Sequence, residues 1–321
     1  MFFGSFFGLS FEMLFADDEQ RAWGLYNARL EYHHRHPTAF PLPSMIPKIH
    51  GHRGARGRRP ENTLAAIEYA LRQGVDGVEV DLCVTADGVV VLHHDLRLNP
   101  DTTRDGAGTW ITERIPVRDL SLDALRQYDL GRLRPGGEYA LRFPEQVPAD
   151  DARAPTLDEC VALVRRHGHE NTVLNLELKS HPDEPTLTPA PDEYAALVLD
   201  NLQRLAPTMV VFLQSFDWRL MVAVKKELKR RAWHLKTGFT KRRPYQLADG
   251  LEVKDKGGDV FSCNYRGLTE PLVRAVHDLG LEVWAWTVNA TRDMERMADW
   301  GVDVIITDYP ERCRELLYGN R

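Results

Sequence analysis

The sequence predicts an α/β fold: a TIM (β/α)8 barrel with a small inserted cap and an N-terminal helical extension. Short apolar strands alternate with helical segments from residue 48 to the end of the chain. The 321 residues, 43% of them hydrophobic, are enough to build one barrel and to bury its core. No run approaches the ~20 uninterrupted apolar residues that a spanning helix requires, so we expect no membrane-spanning helix.

The predicted elements follow one another in a regular order. Strands are predicted from short apolar runs at residues 48–52, 77–82, 89–92, 173–178, 210–214, 234–239, 260–263, 283–287 and 304–307. Helices are predicted from apolar residues at helical spacing over residues 63–72, 157–166, 194–205, 218–231, 272–279 and 294–300. Gly74 is expected to end the first of these helices. Repeated strand–helix units over this length are typical of a parallel sheet that closes into a barrel.

Two segments depart from this order and define the predicted domains. Residues 1–47 are predicted to be a helical extension and linker, and residues 48–321 the barrel domain. Within that domain, residues 97–155 are rich in Gly, Pro, Arg and Asp, which predicts a cap inserted over one mouth of the barrel. We expect Arg104 and Trp110 of the cap to lie over the rim, where they would help to select a ligand.

The first 15 residues are apolar but are not typical of a signal peptide. No basic region precedes the apolar run, Glu12 interrupts it, and acidic rather than small residues follow it. Phe3, Phe7, Phe11 and Leu14 recur at helical spacing and predict a helix. This helix would dock on the barrel or on a second subunit of a homo-oligomer, or alternatively make a peripheral membrane contact, which its acidic residues disfavour. We expect a cytoplasmic protein, membrane-associated if the helix serves as the anchor.

Charge and cysteine usage exclude further classes of protein. The formal net charge of −6 argues against a protein that coats nucleic acid. The four cysteines lie far apart and lack the spacing of zinc or redox motifs, which fits a reducing compartment better than two disulfides. The basic residues between 225 and 231 and at 241–243 are predicted to be solvent-exposed faces of a helix and a loop.

Acidic side chains are concentrated where predicted strands end. Glu79 and Asp81 stand two positions apart on one strand, so both carboxylates point into the barrel. Two buried like charges are costly unless a cation compensates them. Glu177 ends another strand, and Lys179 faces the same way. Three inward carboxylates predict an oxygen-only site for Mg²⁺ or Ca²⁺, and the alternative is an interior salt-bridge network with Lys179 and Arg53.

Two histidines follow predicted strands at the same rim. His52 follows the first strand and His94 the third, and two imidazoles near a divalent cation can act as acid and base around one leaving group. His93 should point away from His94 because side chains alternate, which predicts a packing role. Arg53 adds a guanidinium fork that matches phosphate oxygens. Trp286, in a late strand, is either an apolar wall for the substrate or a core aromatic residue.

Short motifs occur in a fixed order along the chain. They read His52-Arg53-Gly54, Pro60-Glu61-Asn62-Thr63, Glu79-x-Asp81, Thr85-x-Asp87-Gly88, His94-Asp95, Glu177-x-Lys179, Gln214-Ser215-Phe216, Trp286-Thr287-Val288-Asn289, Gly301-Val302-Asp303 and Thr307-Asp308-Tyr309-Pro310. Together they resemble the glycerophosphodiester phosphodiesterase family over roughly residues 48–318, with a specificity that no single short pattern has. The first forty or so residues lie outside the family pattern.

The resemblance implies a TIM barrel with a small inserted cap and gives roles to the residues at its rim. The active site would contain metal ligands, a catalytic pair and phosphate-binding cations. The metal ligands would be Glu79, Asp81 and Glu177. The catalytic pair would be His52 and His94, and the phosphate-binding cations would be Arg53 and Lys179. Glu61 would support the metal or the substrate.

The implied reaction is metal-dependent hydrolysis of a glycerophosphodiester to sn-glycerol 3-phosphate and an alcohol such as choline or ethanolamine. One histidine would deprotonate the nucleophile, which is water or the glycerol 2-hydroxyl, and the other would protonate the departing alcohol. We assign His52 as the base and His94 as the acid, after related barrel phosphodiesterases, and Asp95 is a candidate to orient an imidazole. The alternatives are a phospholipase D-like or lysophospholipid-cleaving enzyme, favoured by the Phe-rich N-terminus, and a non-catalytic module that binds phosphorylated polyols.

Overall fold

The residues that the computed structural model describes, 46–242 and 244–319, form one nine-stranded sheet. Its strands are β1 Lys48–Gly51, β2 Gly77–Val84, β3 Val90–Leu92, β4 Val173–Leu178, β5 Val210–Ser215, β6 Lys236–Lys241, β7 Val260–Asn264, β8 Glu282–Trp286 and β9 Val304–Thr307. Eight of them are parallel neighbours in a ring, which closes because β1 pairs with both β2 and β9. The predicted TIM barrel is therefore confirmed. β3 lies outside the ring and pairs antiparallel with β2, so the third predicted strand is not a barrel strand.

Helices cover the outside of the ring and part of the cap. They are α1 Leu64–Arg72, α2 Leu122–Leu125, α3 Glu138–Arg142, α4 Leu157–His167, α5 Pro191–Leu205, α6 Trp218–Arg230, α7 Leu247–Asp255, α8 Glu270–Asp278, α9 Thr291–Asp299 and α10 Pro310–Tyr318. All six predicted helices are present, whereas α7 and α10 were not predicted because each buries few apolar side chains. Within the described residues, no helix combines the length and the apolar content that crossing a membrane requires.

Local capping chemistry sets the helix boundaries. The Thr63 hydroxyl accepts a hydrogen bond from the backbone N–H of Ala66, so α1 begins one residue later than the pattern predicts. Gly74 follows α1 at a φ of +69°, which confirms the predicted stop. α5 begins earlier than predicted because Pro191 fits the first helical position, where its missing N–H is not needed.

Side chains at alternate strand positions fill the barrel interior in layers. The floor is an apolar cluster of Val173, Phe212, Val260, Trp284, Val304 and Ile306. Above it, Gln214 donates from Nε2 to Asn175 Oδ1 at 2.9 Å and accepts at Oε1 from Ser262 Oγ at 2.6 Å. Glu79 of β2 is the register partner of Asn175 in this polar layer, and the next inward positions of β2 and β4 carry Asp81 and Glu177. Because the strand repeat is two residues, the layers place those carboxylates at the carboxyl-terminal mouth.

The segment of residues 97–155 folds over this mouth around a small apolar cluster of its own. Leu98, Val117, Leu125 and Leu130 pack there against Val91 of β3. The expectation for Arg104 and Trp110 is wrong, since neither lines the cavity below the cap. Arg104 instead pairs with Asp129 and with Asp150, the latter at 2.8 Å, and these acidic partners within the cap hold it away from the rim.

The N-terminal extension and the four cysteines were also subjects of sequence predictions. The predicted N-terminal helix, with its oligomer or membrane contact, lies in residues 1–45, outside the described residues. All four cysteines are described, and each is a buried free thiol, in agreement with the prediction that disfavoured disulfides.

Candidate active site

A cavity of about 1230 Å³ opens at the carboxyl ends of the barrel strands, beneath the cap. The predicted residues that line it are His52, Arg53, Glu79, His94, Glu177, Lys179 and Trp286. Asp81 is 1% exposed and lies behind the wall, and Glu61 reaches the site through Arg53. The carboxyl-terminal face of such a barrel is where its loops place reactive groups, so the cavity is the candidate active site.

Three carboxylates meet in the wall of the cavity. Asp81 of β2 is the register partner of Glu177 on β4, and Glu79 stands two residues before Asp81 on the same face. One oxygen of each carboxylate lies within 4.8 Å of the others. Burial, together with the charges of Asp81 and Glu177, raises the pKa of Glu79 well above its usual range. An all-oxygen cluster with excess negative charge fits a hard divalent cation, as the sequence predicted.

The protein's own cations compensate part of this cluster. Lys179 Nζ lies 2.5 Å from Glu177 Oε1 and 3.5 Å from Asp81 Oδ1, and Arg53 Nε lies 3.3 Å from Asp81 Oδ2. Burial alone would raise the pKa of Asp81, but His94, Lys179 and Arg53 outweigh it and hold the pKa below its usual range. Glu79 Oε2 accepts a hydrogen bond from the backbone N–H of Arg53 at 2.8 Å, and Nε2 of His52 lies 3.9 Å from the same oxygen. The predicted salt-bridge network therefore exists but leaves Glu79 without a Lys or Arg partner among the described residues.

His52 is held by an aspartate that the sequence reasoning did not single out. Its Nδ1 lies 2.6 Å from Asp308 Oδ1, and Asp308 also accepts from Arg56 and from Asn289 Nδ2, the latter at 2.7 Å. Arg56 and His52 hold the pKa of Asp308 well below its usual range, against the opposing effect of burial. An ionised Asp308 can only accept hydrogen bonds, which assigns the proton of a neutral His52 to Nδ1 and leaves Nε2 as an acceptor.

The surroundings of His52 favour its neutral form. Burial, with the charges of Arg56 and Arg53, lowers the pKa of His52 to about 4, although Asp308 acts in the opposite direction. The imidazole is therefore neutral at pH 7 in the free protein. A signal for Asp308 was present in the sequence, since an aspartate directly after the buried strand β9 falls at the mouth of the barrel.

His94 has an equivalent aspartate next to it in the chain. Its Nδ1 lies 2.6 Å from Asp95 Oδ1, and Asp95 Oδ2 accepts from Asn99 Nδ2 at 3.1 Å. Burial, followed by the charges of Arg53 and Lys179, lowers the pKa of His94. His93 is buried with its Nδ1 2.6 Å from the backbone oxygen of Asp95, and it does not line the large cavity, as predicted.

The loop after β1 presents Arg53 to the cavity. Arg53 adopts a φ of +51°, and Gly54 follows at +82°, where a Cβ would stand 2.6 Å from the backbone of Ala66. Glu61 Oε1 accepts from Arg53 Nη1 at 2.7 Å, so this carboxylate supports the guanidinium and is not part of the three-carboxylate cluster. Arg53 Nε is buried and makes no hydrogen bond among the described residues, and it lies 3.3 Å from Asp81 Oδ2, so this nitrogen faces the carboxylate cluster.

One wall of the cavity is aromatic. Trp286 is half-buried at the end of β8, and its ring centroid lies 5.5 Å from that of Phe216 in an edge-on arrangement. Both rings line the cavity, whereas the floor aromatics Phe212 and Trp284 lie deeper in the barrel. Of the two sequence interpretations of Trp286, this position favours a wall for a ligand.

Comparisons with known proteins agree with this geometry. A family model described as the glycerophosphoryl diester phosphodiesterase family matches residues 52–312. A glycerophosphodiester phosphodiesterase of Caldanaerobacter subterraneus is 31% identical over 277 residues, which cover 83% of this chain and 96% of the relative. A solved protein from Silicibacter pomeroyi, provisionally named glycerophosphoryl diester phosphodiesterase, is 35% identical with a TM-score of 0.80, and the match covers 87% of this chain and 95% of that protein. A phosphodiesterase of Oleispira antarctica, solved with its product sn-glycerol-3-phosphate, shares the fold at 22% identity and a TM-score of 0.67. This match covers 85% of this chain and 97% of that protein.

Proposed function

The chain belongs to the glycerophosphoryl diester phosphodiesterase family, and on that premise we propose that it hydrolyses glycerophosphodiesters to sn-glycerol 3-phosphate and an alcohol in a metal-dependent reaction. One observation carries the proposal: the carboxylate cluster, two imidazoles each paired with an aspartate, and the cations Arg53 and Lys179 all meet at a single cavity. These are the groups that cleavage of a phosphodiester requires, because its phosphorus is shielded by negative charge and its alkoxide leaves poorly.

Glu79, Asp81 and Glu177 are the residues that would hold the cation. Their donor set is all oxygen, and among the described residues Glu79 forms no ion pair with a Lys or Arg that would compete with a cation, which suits Mg²⁺ or Ca²⁺. When bound, a divalent cation would supply positive charge to the non-bridging oxygens of the phosphodiester, where negative charge grows in the transition state.

Arg53 and Lys179 would bind and orient the phosphate. Both side chains line the cavity, and neighbouring carboxylates raise the pKa of each against the effect of burial: Glu61 and Asp81 for Arg53, and Glu177 and Asp81 for Lys179. Both groups therefore stay cationic at neutral pH. Because the loop and the strand fix them before the substrate arrives, little reorganisation is needed as charge develops.

The two histidines would move the protons. His52, neutral and with Nε2 free to accept, would take the proton of water or of the glycerol 2-hydroxyl. His94 would donate to the departing alcohol after gaining a proton, which the arrival of an anionic phosphate beside it would favour by raising its pKa. Trp286 would provide an apolar surface for the glycerol carbons.

A matched pair of substrates tests the proposed function. Glycerophosphocholine and lysophosphatidylcholine differ in one acyl chain, and we expect turnover of the first, loss of that turnover in EDTA and recovery with Mg²⁺ or Ca²⁺. Release of choline, the product that both substrates share, is measured with a choline oxidase assay, and sn-glycerol 3-phosphate from glycerophosphocholine with a coupled dehydrogenase assay. Preferred cleavage of lysophosphatidylcholine would instead support the lysophospholipid-cleaving alternative, and binding of glycerophosphocholine without turnover would support the non-catalytic module.

Asp308 is predicted to be a positioning residue for His52. Asp308→Asn replaces an acceptor-only carboxylate by an amide, so the proton on Nδ1 of His52 and the direction of Nε2 are no longer fixed. We expect kcat to fall by about 10- to 100-fold, the range seen when an orienting partner is removed, with a small change in KM because Asp308 does not line the cavity. Steady-state kinetics on glycerophosphocholine measures both constants.

Asp129→Asn is the matched control for this variant. Asp129 is also buried and paired with an arginine, Arg104, but it lies in the cap away from the cavity. It should therefore lose stability in thermal unfolding without the loss in kcat. A folded Asp308→Asn enzyme with the wild-type kcat would reduce Asp308 to a structural residue.

A further inference from the structure

The mouth of the cavity carries an excess of arginine. Arg114 and Arg142 of the cap and Arg242 and Arg266 of the loops after β6 and β7 are all exposed and line the cavity. Within the described part of the chain, none of the four forms an ion pair with a carboxylate. The predicted solvent exposure of residues 241–243 is confirmed for Arg242, which also lines the cavity. Lys241 is instead half-buried at the end of β6 and lines the cavity, and residue 243 lies outside the described residues.

The exposed carboxylates of the wall already have partners. Glu184 pairs with Arg97 at 2.6 Å, and Glu252 pairs with Lys256 at 3.4 Å. The wall residue Lys241 is in turn paired with Asp249. The four arginines are thus a local surplus of positive charge on a chain whose formal net charge is −6. A cavity lined by one sign of charge concentrates ligands of the other sign.

Two aromatic rings of the cavity, those of Phe216 and Tyr265, already lie beside cations of the protein. Recognition of a quaternary ammonium relies on free aromatic faces around the charge. Lys179 Nζ and Arg242 Cζ each lie 5.9 Å from the centroid of the Phe216 ring, and Arg266 Cζ lies 5.6 Å from that of Tyr265. The protein's own cations therefore occupy these rings and would repel a choline head group.

We propose that the enzyme prefers glycerophosphodiesters whose alcohol carries a further anionic group, a carboxylate or a phosphate, which Arg114, Arg142, Arg242 and Arg266 bind at the mouth. The preference rests on the proposed function, since it concerns the alcohol side of the same cavity. A guanidinium fork matches both anions in geometry, and unpaired forks have donors available for them. At about 1230 Å³ the cavity exceeds the ~300–1,000 Å³ of ordinary small-molecule sites, which leaves room for a substituted alcohol.

Isosteric pairs of alcohols test this preference. Glycerophospho-4-hydroxybutyrate and its carboxamide differ in one charge, as do glycerophosphocholine and its 3,3-dimethylbutyl analogue. At low salt we expect kcat/KM to be about tenfold higher for the carboxylate than for the carboxamide, equivalent to ~1.4 kcal/mol, and lower for choline than for the neutral analogue. The 3-hydroxypropyl phosphate diester should behave like the carboxylate. Added NaCl should bring both ratios of kcat/KM closer to one, because the four arginines are exposed and salt screens their charge.

Double variants assign the preference to the arginines. Arg242→Met with Arg266→Met, and separately Arg114→Met with Arg142→Met, should each lower the carboxylate-to-carboxamide ratio. The matched control is Arg165→Met, which removes an exposed arginine of α4 that lies outside the cavity and should leave the ratio as in the wild type.

Each outcome has a separate meaning. Equal turnover of the carboxylate and the carboxamide by the wild type would overturn the anionic preference and leave the proposed function intact. A wild-type preference that survives in both double variants would overturn the assignment to these arginines. Failure to hydrolyse any of the five diesters would overturn the proposed function, and the preference with it.

Discussion

Replacing Asp81 by asparagine is expected to remove divalent-ion binding and to reduce turnover by at least about 100-fold. Loss of an outer partner of a metal ligand already costs about 10–100-fold, and loss of a charged ligand should exceed that. Asp81 is the carboxylate that its neighbours keep ionised, since Asn62 donates to it at 2.9 Å and Lys179 and Arg53 lie within 3.5 Å. The amide keeps the shape but removes the charge that a hard cation requires. Calorimetric titration with Mg²⁺ and Ca²⁺, alongside turnover of glycerophosphocholine, measures both effects.

Two further measurements separate a metal ligand from a member of a salt-bridge network. Glu252→Gln removes another carboxylate of the cavity wall that lies outside the cluster, and it should retain the wild-type ion affinity. If Asp81 served only to neutralise Arg53 and Lys179, Asp81→Asn would lower the free energy of unfolding while the affinity for both ions stayed unchanged. That combination would rule out Asp81 as a ligand.

Much of the barrel and its mouth could be predicted because it depends on local pattern. Strand residues alternate between the interior and the exterior, so the spacing of Glu79 and Asp81 already placed both on one face. Glu177 and Lys179 stand at the end of β4, which placed them at the same mouth of the barrel as Glu79 and Asp81. The register of β2 with β4 brings these side chains together. His94 and Asp95 are neighbours in the chain, so their hydrogen bond needs no tertiary information.

The residues that the sequence reasoning missed depend on closure of the barrel. Asp308 lies 256 positions from His52, and they meet only because β9 returns to pair with β1. Arg56 is brought to Asp308 by the same closure. Composition could not predict which arginines of the cap line the cavity. Ion pairs inside the cap, such as that of Arg104 with Asp129, decide which arginine side chains point to the cavity and which do not. Long-range pairing of this kind leaves no periodic signal in the sequence.

The two histidines differ in surroundings, which bears on their roles. His52 is paired with the fully buried Asp308, whereas His94 is paired with Asp95, which is half-exposed and lines the cavity. Burial lowers the pKa of both imidazoles in the free protein. The lowered pKa leaves His52 neutral and able to accept a proton at pH 7, and because the pKa of His94 is lowered too, the dependence of the rate on the leaving group has to separate the base from the acid.

His94→Ala is expected to lose about 10²–10⁴-fold in activity on glycerophosphocholine but far less on glyceryl p-nitrophenyl phosphate. An alkyl alcohol leaves poorly without a proton, whereas p-nitrophenolate leaves unaided because its conjugate acid is much stronger. His52→Ala should lose a comparable factor on both diesters, since either one still requires an activated nucleophile. Rates on the two substrates, with ion affinity as the check that the cluster is intact, separate the roles. The reverse pattern would exchange the two histidines, and equal losses on both substrates from both variants would mean that neither one protonates the leaving group.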